Sequence, residues 1–107
     1  MNLFYDAHGT GEPVVLISGF ASGAWLWFCQ VDELSQHFQV ITFDPRGIGK
    51  SKFDEQTTVS IEEIADDVRR ILDELNIEKA SILGTSFGGF VAQEFALRYP
   101  ERLHKLI

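Results

Sequence analysis

The sequence predicts an α/β fold, with a doubly wound, mostly parallel sheet and flanking helices. Three short, mainly apolar runs, at residues 14–17, 40–43 and 80–83, each stop at a serine, aspartate or glycine. Such runs are typical of strands that are buried on both faces of a parallel sheet. Helical patterns separate the runs, and strands that alternate with helices form right-handed βαβ units.

The clearest helix is predicted to begin after Ser60, because Glu63 follows three residues later in the spacing of a capping box. Its apolar side chains recur mostly at steps of three and four residues, at Ile61, Ile64, Ala65, Val68, Ile71, Leu72 and Leu75. A weaker helical pattern covers residues 25–37, and a stronger one covers residues 88–98 and stops before a Tyr-Pro pair. Residues 3–5 predict a first strand that runs into a turn at residues 8–13, and residues 105–107 predict the opening of a last strand.

Composition and charge indicate which broad class of protein this is and which partners it excludes. The 107 residues are 45% hydrophobic and 12% aromatic, which is enough for one packed domain over residues 1–107. Sixteen acidic and nine basic side chains give a net charge of -7 and are dispersed, so nucleic acid is excluded as a partner. The chain lacks the basic start and apolar block of a signal peptide, and it has no apolar stretch of the ~20 residues that a membrane helix needs. We therefore expect a soluble protein that is not associated with a membrane.

The single cysteine, Cys29, permits no intrachain disulfide and offers no cluster for a metal ion. A reducing cytoplasm is the expected location, and no metal or organic cofactor is predicted. Because Cys29 lies in an apolar helical segment, we expect its side chain to be buried in the core.

Residues 84–88 match the pattern G-x-S-x-G directly after a predicted strand and directly before a predicted helix. In this context the serine lies on a sharp, strained turn that projects its hydroxyl, so Ser86 is the candidate nucleophile. Gly84 and Gly88 would let the strand and the helix approach each other closely. The alternative is that Ser86 only caps the helix, since serine is a favoured N-cap residue.

Two backbone amides are candidates for an oxyanion hole. One is the N-H of Phe87, which follows the nucleophile at the positive end of a helix. The other is the N-H of Phe20 in the glycine-rich loop at residues 18–23, because a loop at the carboxyl edge of a parallel sheet lines the ligand crevice. The alternative reading of this loop is an ordinary turn between a strand and a helix.

Other polar residues fit structural roles better than chemical ones. Residues 49–51, Gly-Lys-Ser, resemble the end of a phosphate-binding loop, but Asp44 occupies the position where that motif needs glycine, so nucleotide binding is rejected. Asp44 and Arg46 are expected to order their own loop through hydrogen bonds or an ion pair. None of the three histidines, His8, His37 and His104, is placed as a general base, and surface positions are expected for all of them.

These motifs, in this order, resemble the α/β-hydrolase fold family over essentially the whole chain. They are residues 18–25, residues 44–51, residues 84–89 and residues 99–102. The branch that the chain looks like contains carboxylesterases, enol-lactonases, carbon-carbon bond hydrolases and cofactor-free haloperoxidases. The resemblance implies that Ser86 is the nucleophile of a serine hydrolase acting on an ester-like or acyl substrate, with the Phe20 and Phe87 amides as the oxyanion donors. Many relatives have His-Gly where this chain has Ser18-Gly19.

The resemblance also implies that these residues are an amino-terminal part of the fold. The triad of this family runs in the order serine, acid, histidine, so the acid, the histidine and the lid are expected beyond Ile107. We therefore expect the 107 residues alone to be almost inactive, with an exposed apolar sheet edge that leads to poor solubility or to pairing with a segment from another chain. The alternative to an enzyme is a non-catalytic binding or interaction module of the same fold.

Overall fold

A five-stranded sheet forms the centre of the protein. The computed structural model describes residues 3–19, 23–46, 51 and 60–107. The strands, in chain order, are β1 (Tyr5–His8), β2 (Glu12–Ile17), β3 (Phe38–Phe43), β4 (Ala80–Gly84) and β5 (Leu103–Leu106). Their order in the sheet is β1-β3-β2-β4-β5, with β1 antiparallel to β3 and the other neighbours parallel. The predicted doubly wound, mostly parallel sheet is confirmed.

Within the described residues, three α-helices connect the parallel strands. They are α1 (Phe28–Leu34), which continues from a 3-10 turn at Ala24–Trp27, α2 (Ile61–Glu74) and α3 (Phe87–Arg98). Ser60 caps α2 as predicted: its Oγ accepts a hydrogen bond of 3.1 Å from the Glu63 N-H, and its hydroxyl donates to the Glu63 carboxylate. Since such a cap satisfies one of the unpaired amides of the first turn, it fixes where the helix begins.

The three central strands, β2, β3 and β4, are buried on both faces over most of their length, as their apolar runs predict. Side chains alternate along β2, so that Val15 and Ile17 join the core cluster under α2 and α3, whereas Val14 and Leu16 join the cluster under α1. Among the described residues, two helices cover the first cluster and one helix covers the second. On the α1 side, a cavity of about 480 Å³ is lined by residues of α1 and of four strands, among them Leu34, Leu83 and His104. Leu106 and Ile107, at and just after the end of β5, are 45% and 64% exposed.

Two local predictions are wrong. The first strand covers Tyr5–His8 rather than residues 3–5, because it is an edge strand with mostly exposed side chains and has no apolar run to mark it. Cys29 is exposed rather than buried, and the adjacent Phe28 is 69% exposed. The reason is the 3-10 turn: it points Trp27 into the core at 7% exposure, and the helix that follows presents its first residues outward.

Candidate active site

The carboxyl ends of β2 and β4 meet at the point where the strand order of the sheet reverses. From β2 the chain crosses to β3 on one side, and it later returns to β4 on the other side. Ile17 lies opposite Gly84, and the Thr85 N-H continues the ladder with a hydrogen bond of 3.2 Å to the Ile17 carbonyl. In open α/β sheets, ligands bind in the crevice at such a switch point.

Ser86 lies at this point, between the end of β4 and the start of α3. Its backbone has φ 54° and ψ -121°, and among the described residues only Asn76 shares a positive φ without being glycine. Holding a residue with a Cβ in such a conformation costs about 1–3 kcal/mol. The exposed Ser86 side chain makes no capping hydrogen bond to α3. The alternative that Ser86 only caps α3 is therefore not supported, because the side-chain hydrogen bond of an N-cap is missing.

The strand and the helix approach each other so closely on either side of Ser86 that side chains do not fit. A Cβ added at Gly84 would lie 2.1 Å from the Gly88 carbonyl oxygen. A Cβ added at Gly88 would lie 2.3 Å from the Ile17 carbonyl oxygen and 2.6 Å from that of Ser18. These contacts are with backbone atoms, which cannot move aside as a flexible side chain can. The tight turn at Ser86 thus depends on both glycines.

The amino end of α3 points toward the same crevice. The amides of Gly88 and Gly89 donate to the carbonyls of Thr85 and Ser86, at 2.8 and 2.9 Å, so the helix begins as a tight turn around Ser86. The Phe87 amide lies in the first turn, where the helix dipole favours negative charge. Phe20, the second candidate donor, lies outside the described residues. The loop that contains it starts beside Ser86, because a Cβ at Gly19 would be 3.6 Å from the Ser86 Cβ.

The three histidines lie at the opposite end of the sheet, near the amino ends of the parallel strands, and all are exposed. His8 lies opposite Val40 near the start of β3, and His37 immediately precedes that strand. The His104 Nε2 is 3.9 Å from a carboxylate oxygen of Glu12, the first residue of β2. Because a strand rises about 3.3 Å per residue, the length of β2 puts roughly 16 Å between this edge and the crevice at Ser86. No histidine of this chain reaches Ser86.

Two buried charged residues directly after β3, Asp44 and Arg46, form hydrogen bonds and an ion pair, as the sequence predicts. Asp44 is 6% exposed, and its Oδ1 accepts a hydrogen bond of 2.7 Å from the Ala24 N-H. Arg46, also 6% exposed, donates from Nε and Nη2 to the two carboxylate oxygens of Asp67, both at 2.8 Å, and from Nη1 to Glu63 at 2.9 Å. The hydrogen bond to Asp67 is the main cause that raises the pKa of the Arg46 guanidinium. This arginine therefore stays charged although it is buried.

Asp67 is a functional candidate that the sequence analysis did not identify. It is completely buried on α2, three residues after Ile64 and four before Ile71, inside the apolar stripe. An acidic residue in an apolar stripe is the signal that could have found it, since a buried carboxylate needs a partner of opposite charge. Ser51, from the motif that resembles a phosphate-binding loop, is also buried, and its Oγ accepts a hydrogen bond of 2.7 Å from the Phe4 N-H. Residues 47–50 of that motif lie outside the described residues.

Over the described part of the chain, no group of three or more His, Cys, Asp or Glu side chains is arranged to hold a metal ion. Within the same residues, no helix has both the length and the apolar character to cross a membrane.

Comparison with known proteins gives a consistent picture. The family model of the alpha/beta hydrolase fold matches residues 12–107. A protein of Azorhizobium caulinodans named carbamate hydrolase RutD is 39% identical over 105 residues, which cover 98% of this chain and 39% of the relative. The structure of a thermophilic esterase from Thermogutta terrifontis is 37% identical, with a TM-score of 0.92 over 97% of this chain and 38% of that one. A protein described as an N-acyl homoserine lactone degrading enzyme is 37% identical, with a TM-score of 0.90 over 94% of this chain and 39% of that one. The chain thus spans about two fifths of the length of these relatives.

Proposed function

Because this chain belongs to the α/β-hydrolase fold family, we propose that the whole protein is a serine hydrolase that cleaves an ester or a similar acyl bond through an acyl-enzyme on Ser86. Fold alone does not assign an activity, since activity depends on the site. The names of the relatives refer to a carbamate, an ester and a lactone. These substrates share an acyl carbonyl next to a leaving oxygen or nitrogen, and that group is the substrate class that we propose here.

The single observation that supports the proposal most strongly is the backbone conformation of Ser86. A serine that served only as a turn residue or a helix cap would not need a φ of 54° between two glycines that permit no Cβ. Strain of this kind clusters at functional sites, where the rest of the fold maintains it. Here it leaves the Ser86 side chain exposed at the switch point of the sheet, free of any capping bond to α3.

In the proposed reaction the Ser86 Oγ attacks the acyl carbonyl carbon while a general base takes the hydroxyl proton. The carbonyl oxygen becomes an oxyanion, and the Phe87 and Phe20 amides donate hydrogen bonds to it. When the carbonyl re-forms, the bond to the leaving group breaks, and the base returns its proton to that group. Water then attacks the acyl-enzyme in the same way and releases the acid. The steps need neither a metal ion nor an organic cofactor.

We propose that the general base and its acid partner come from a part of the protein outside these 107 residues. All three histidines of the chain lie at the far edge of the sheet, and in this family the acid and the histidine follow the serine in the chain. Without its base, Ser86 is an ordinary alcohol. The 107 residues alone should keep at most the oxyanion-hole contribution to the rate, roughly 10³ to 10⁴ over the reaction in water.

We also propose that the protein is located in the cytoplasm. The single cysteine, Cys29, is a free thiol, and free thiols are typical of reducing compartments.

The experiment is intact-protein mass spectrometry of the full-length protein after exposure to a fluorophosphonate, together with hydrolysis of a p-nitrophenyl ester. We expect one adduct on Ser86 and none in Ser86→Ala, which should also lose ester hydrolysis. Ser35→Ala is the matched control, because Ser35 is a serine at the end of α1 whose hydroxyl bonds only a local carbonyl. The 107-residue chain should remain unlabelled.

Two results would contradict the proposal. A full-length protein that takes up no fluorophosphonate and hydrolyses no acyl substrate would indicate the non-catalytic module. An adduct that persists in Ser86→Ala would place the nucleophile elsewhere.

A further inference from the structure

One face of the sheet is only partly covered by the residues that the structure describes. On the face of α2 and α3, the core cluster that contains Val15 and Ile82 is almost completely buried. On the face of α1, three apolar side chains that pack against the smaller cluster, Leu34, Phe38 and Leu83, are only half-buried. The same three side chains line the cavity of about 480 Å³. Since the strands of a parallel sheet are covered on both faces, the cavity is a place for a further covering element.

The cavity has the width of one helix. Its lining includes Leu34 of α1 on one side, Lys105 and Ile107 at β5 on the other, and Leu83 of β4 between them. Strands β2, β4 and β5 are neighbours in the sheet, so about 10 Å separates the outer two. An α-helix with its side chains is about 10–12 Å across. A single helix laid along β4 would therefore fill the cavity.

The topology indicates which part of a chain can supply that helix. The connections β3–α2–β4 and β4–α3–β5 both step across the sheet toward β5, and both helices lie on the same face. The connection β2–α1–β3 steps the other way, and α1 lies on the opposite face. This pattern is the right-handed rule for parallel strands. A helix that led from β5 to a further strand beyond it would again lie beside α3, so the cavity is left to a helix that follows the last strand.

Three observations favour a segment of the same chain as the occupant. Nine residues line the cavity, whereas a stable interface between two proteins needs about 20–30 residues on each side. The titratable side chains of the lining, Glu12, His104 and Lys105, are all exposed, whereas a ligand pocket encloses a few convergent polar groups. The relatives are longer than the matched part, which covers about two fifths of them, so their remaining length is enough for a further helix.

We propose that a carboxyl-terminal α-helix of the same protein, following the last strand of the sheet, occupies this cavity and packs an apolar face on Leu34, Phe38 and Leu83. The inference shares one premise with the proposed function, namely that the protein continues after Ile107, and it does not depend on the chemistry of Ser86. In the whole protein the cavity is then part of the packed interior and not a second ligand site.

The test is photo-cross-linking of the full-length protein that carries p-benzoylphenylalanine at one position. Phe38→p-benzoylphenylalanine brings the reactive ketone into the cavity with little change, because Phe38 is already an aromatic residue of the lining. Phe28→p-benzoylphenylalanine is the matched control, since Phe28 lies on α1, is 69% exposed and is not part of the lining. After irradiation and digestion, mass spectrometry should find Phe38 linked within one chain to a peptide near the carboxyl terminus. The yield should be about tenfold above the control or more, because the ketone reacts with C-H groups in van der Waals contact.

Three results would overturn the inference. A covalent dimer through position 38 would identify a second copy as the occupant. A link to the peptide directly after Ile107 would show that the crossover argument is wrong. A folded variant with no link outside residues 1–107 above the control yield would show that no such helix covers the cavity. If the Phe38 variant does not fold, Lys105→p-benzoylphenylalanine, at an exposed side chain of the same lining, is judged by the same criteria. None of these measurements uses a substrate, so the failure of Ser86 to react with a fluorophosphonate would contradict the proposed function separately.

Discussion

Replacing Gly88 with alanine should destabilise the protein, whereas the same replacement at the adjacent Gly89 should not. A Cβ at Gly88 would meet the carbonyl oxygens of Ile17 and Ser18 at 2.3 and 2.6 Å, and real Cβ atoms essentially never come within 3.0 Å of another atom. The amino end of α3 and the end of β2 would have to separate by about 0.7 Å or more. At Gly89 the nearest atom, the Gly84 carbonyl oxygen, is 3.6 Å away, which is an ordinary contact.

The expected magnitudes follow from two opposing effects. Alanine is favoured over glycine inside a helix by about 1 kcal/mol, and this gain applies at both positions. Forcing an extra methyl group into a packed site costs about 1–3 kcal/mol, with the higher values where backbone must move. Gly88→Ala should therefore lose up to about 2 kcal/mol of the free energy of unfolding, while Gly89→Ala should gain up to about 1 kcal/mol.

The assay is urea unfolding of the full-length variants, followed by circular dichroism, with fluorophosphonate labelling rate as a second measurement. Gly88→Ala should also label more slowly, because displacing α3 moves Ser86 relative to the loop at Gly19. Gly89→Ala is the control for helix propensity and for the loss of a glycine. The reasoning is refuted if the two variants have the same unfolding midpoint, or if Gly88→Ala is the more stable of the two.

Two further predictions concern the strained turn and the buried ion pair. Ser86→Gly should be more stable than Ser86→Ala by about 1 kcal/mol in thermal unfolding, because glycine tolerates the φ of 54° and alanine does not; equal stability of the two would show that the turn is not strained. Arg46→Met should lose about 3–5 kcal/mol, since it leaves the Asp67 carboxyl group completely buried without its bidentate partner. The double variant Arg46→Met with Asp67→Leu should recover most of that loss, and failure to recover would mean that the pair itself supplies the stability.

Much of the fold could be predicted because its local signals agree. The strands at residues 14–17, 40–43 and 80–83 were found from their apolar runs, and the helix after Ser60 from its capping box and apolar stripe. Prediction failed where no such pattern exists. Strand β1 is an exposed edge strand, so its position depends on pairing with β3 rather than on its own side chains. Cys29 was misplaced because the 3-10 turn at Ala24–Trp27 changes which residues of the segment face the core.

In the candidate site, too, some residues could be predicted from a local pattern and others could not. Ser86 and its flanking glycines form a contiguous motif, so a short stretch of sequence was enough to identify them. The bond between Asp44 and Ala24 and the pair between Arg46 and Asp67 join residues about 20 positions apart. Contacts of that kind arise only when the parallel strands bring successive loops to one edge of the sheet, and no local pattern encodes the partner. For Asp67, the apolar stripe could have indicated that the side chain is buried, but no local pattern indicates that Arg46 binds it.

Most of the places where this chain departs from local rules lie together. Ser86 adopts a positive φ, Asp67 lies inside an apolar stripe, and Asp44 and Arg46 are charged residues that are almost fully buried. Each departure is unfavourable taken alone, and sequences are expected to keep such features where function requires them. All four residues belong to the turn after β4, to the loop after β3 or to its support on α2. Among the described residues, the opposite end of the sheet, with the exposed histidines and the cavity beside His104, has one comparable feature, the positive φ of Asn76 between α2 and β4, which asparagine tolerates better than most residues. This distribution favours the carboxyl edge over the cavity as the place where the protein acts.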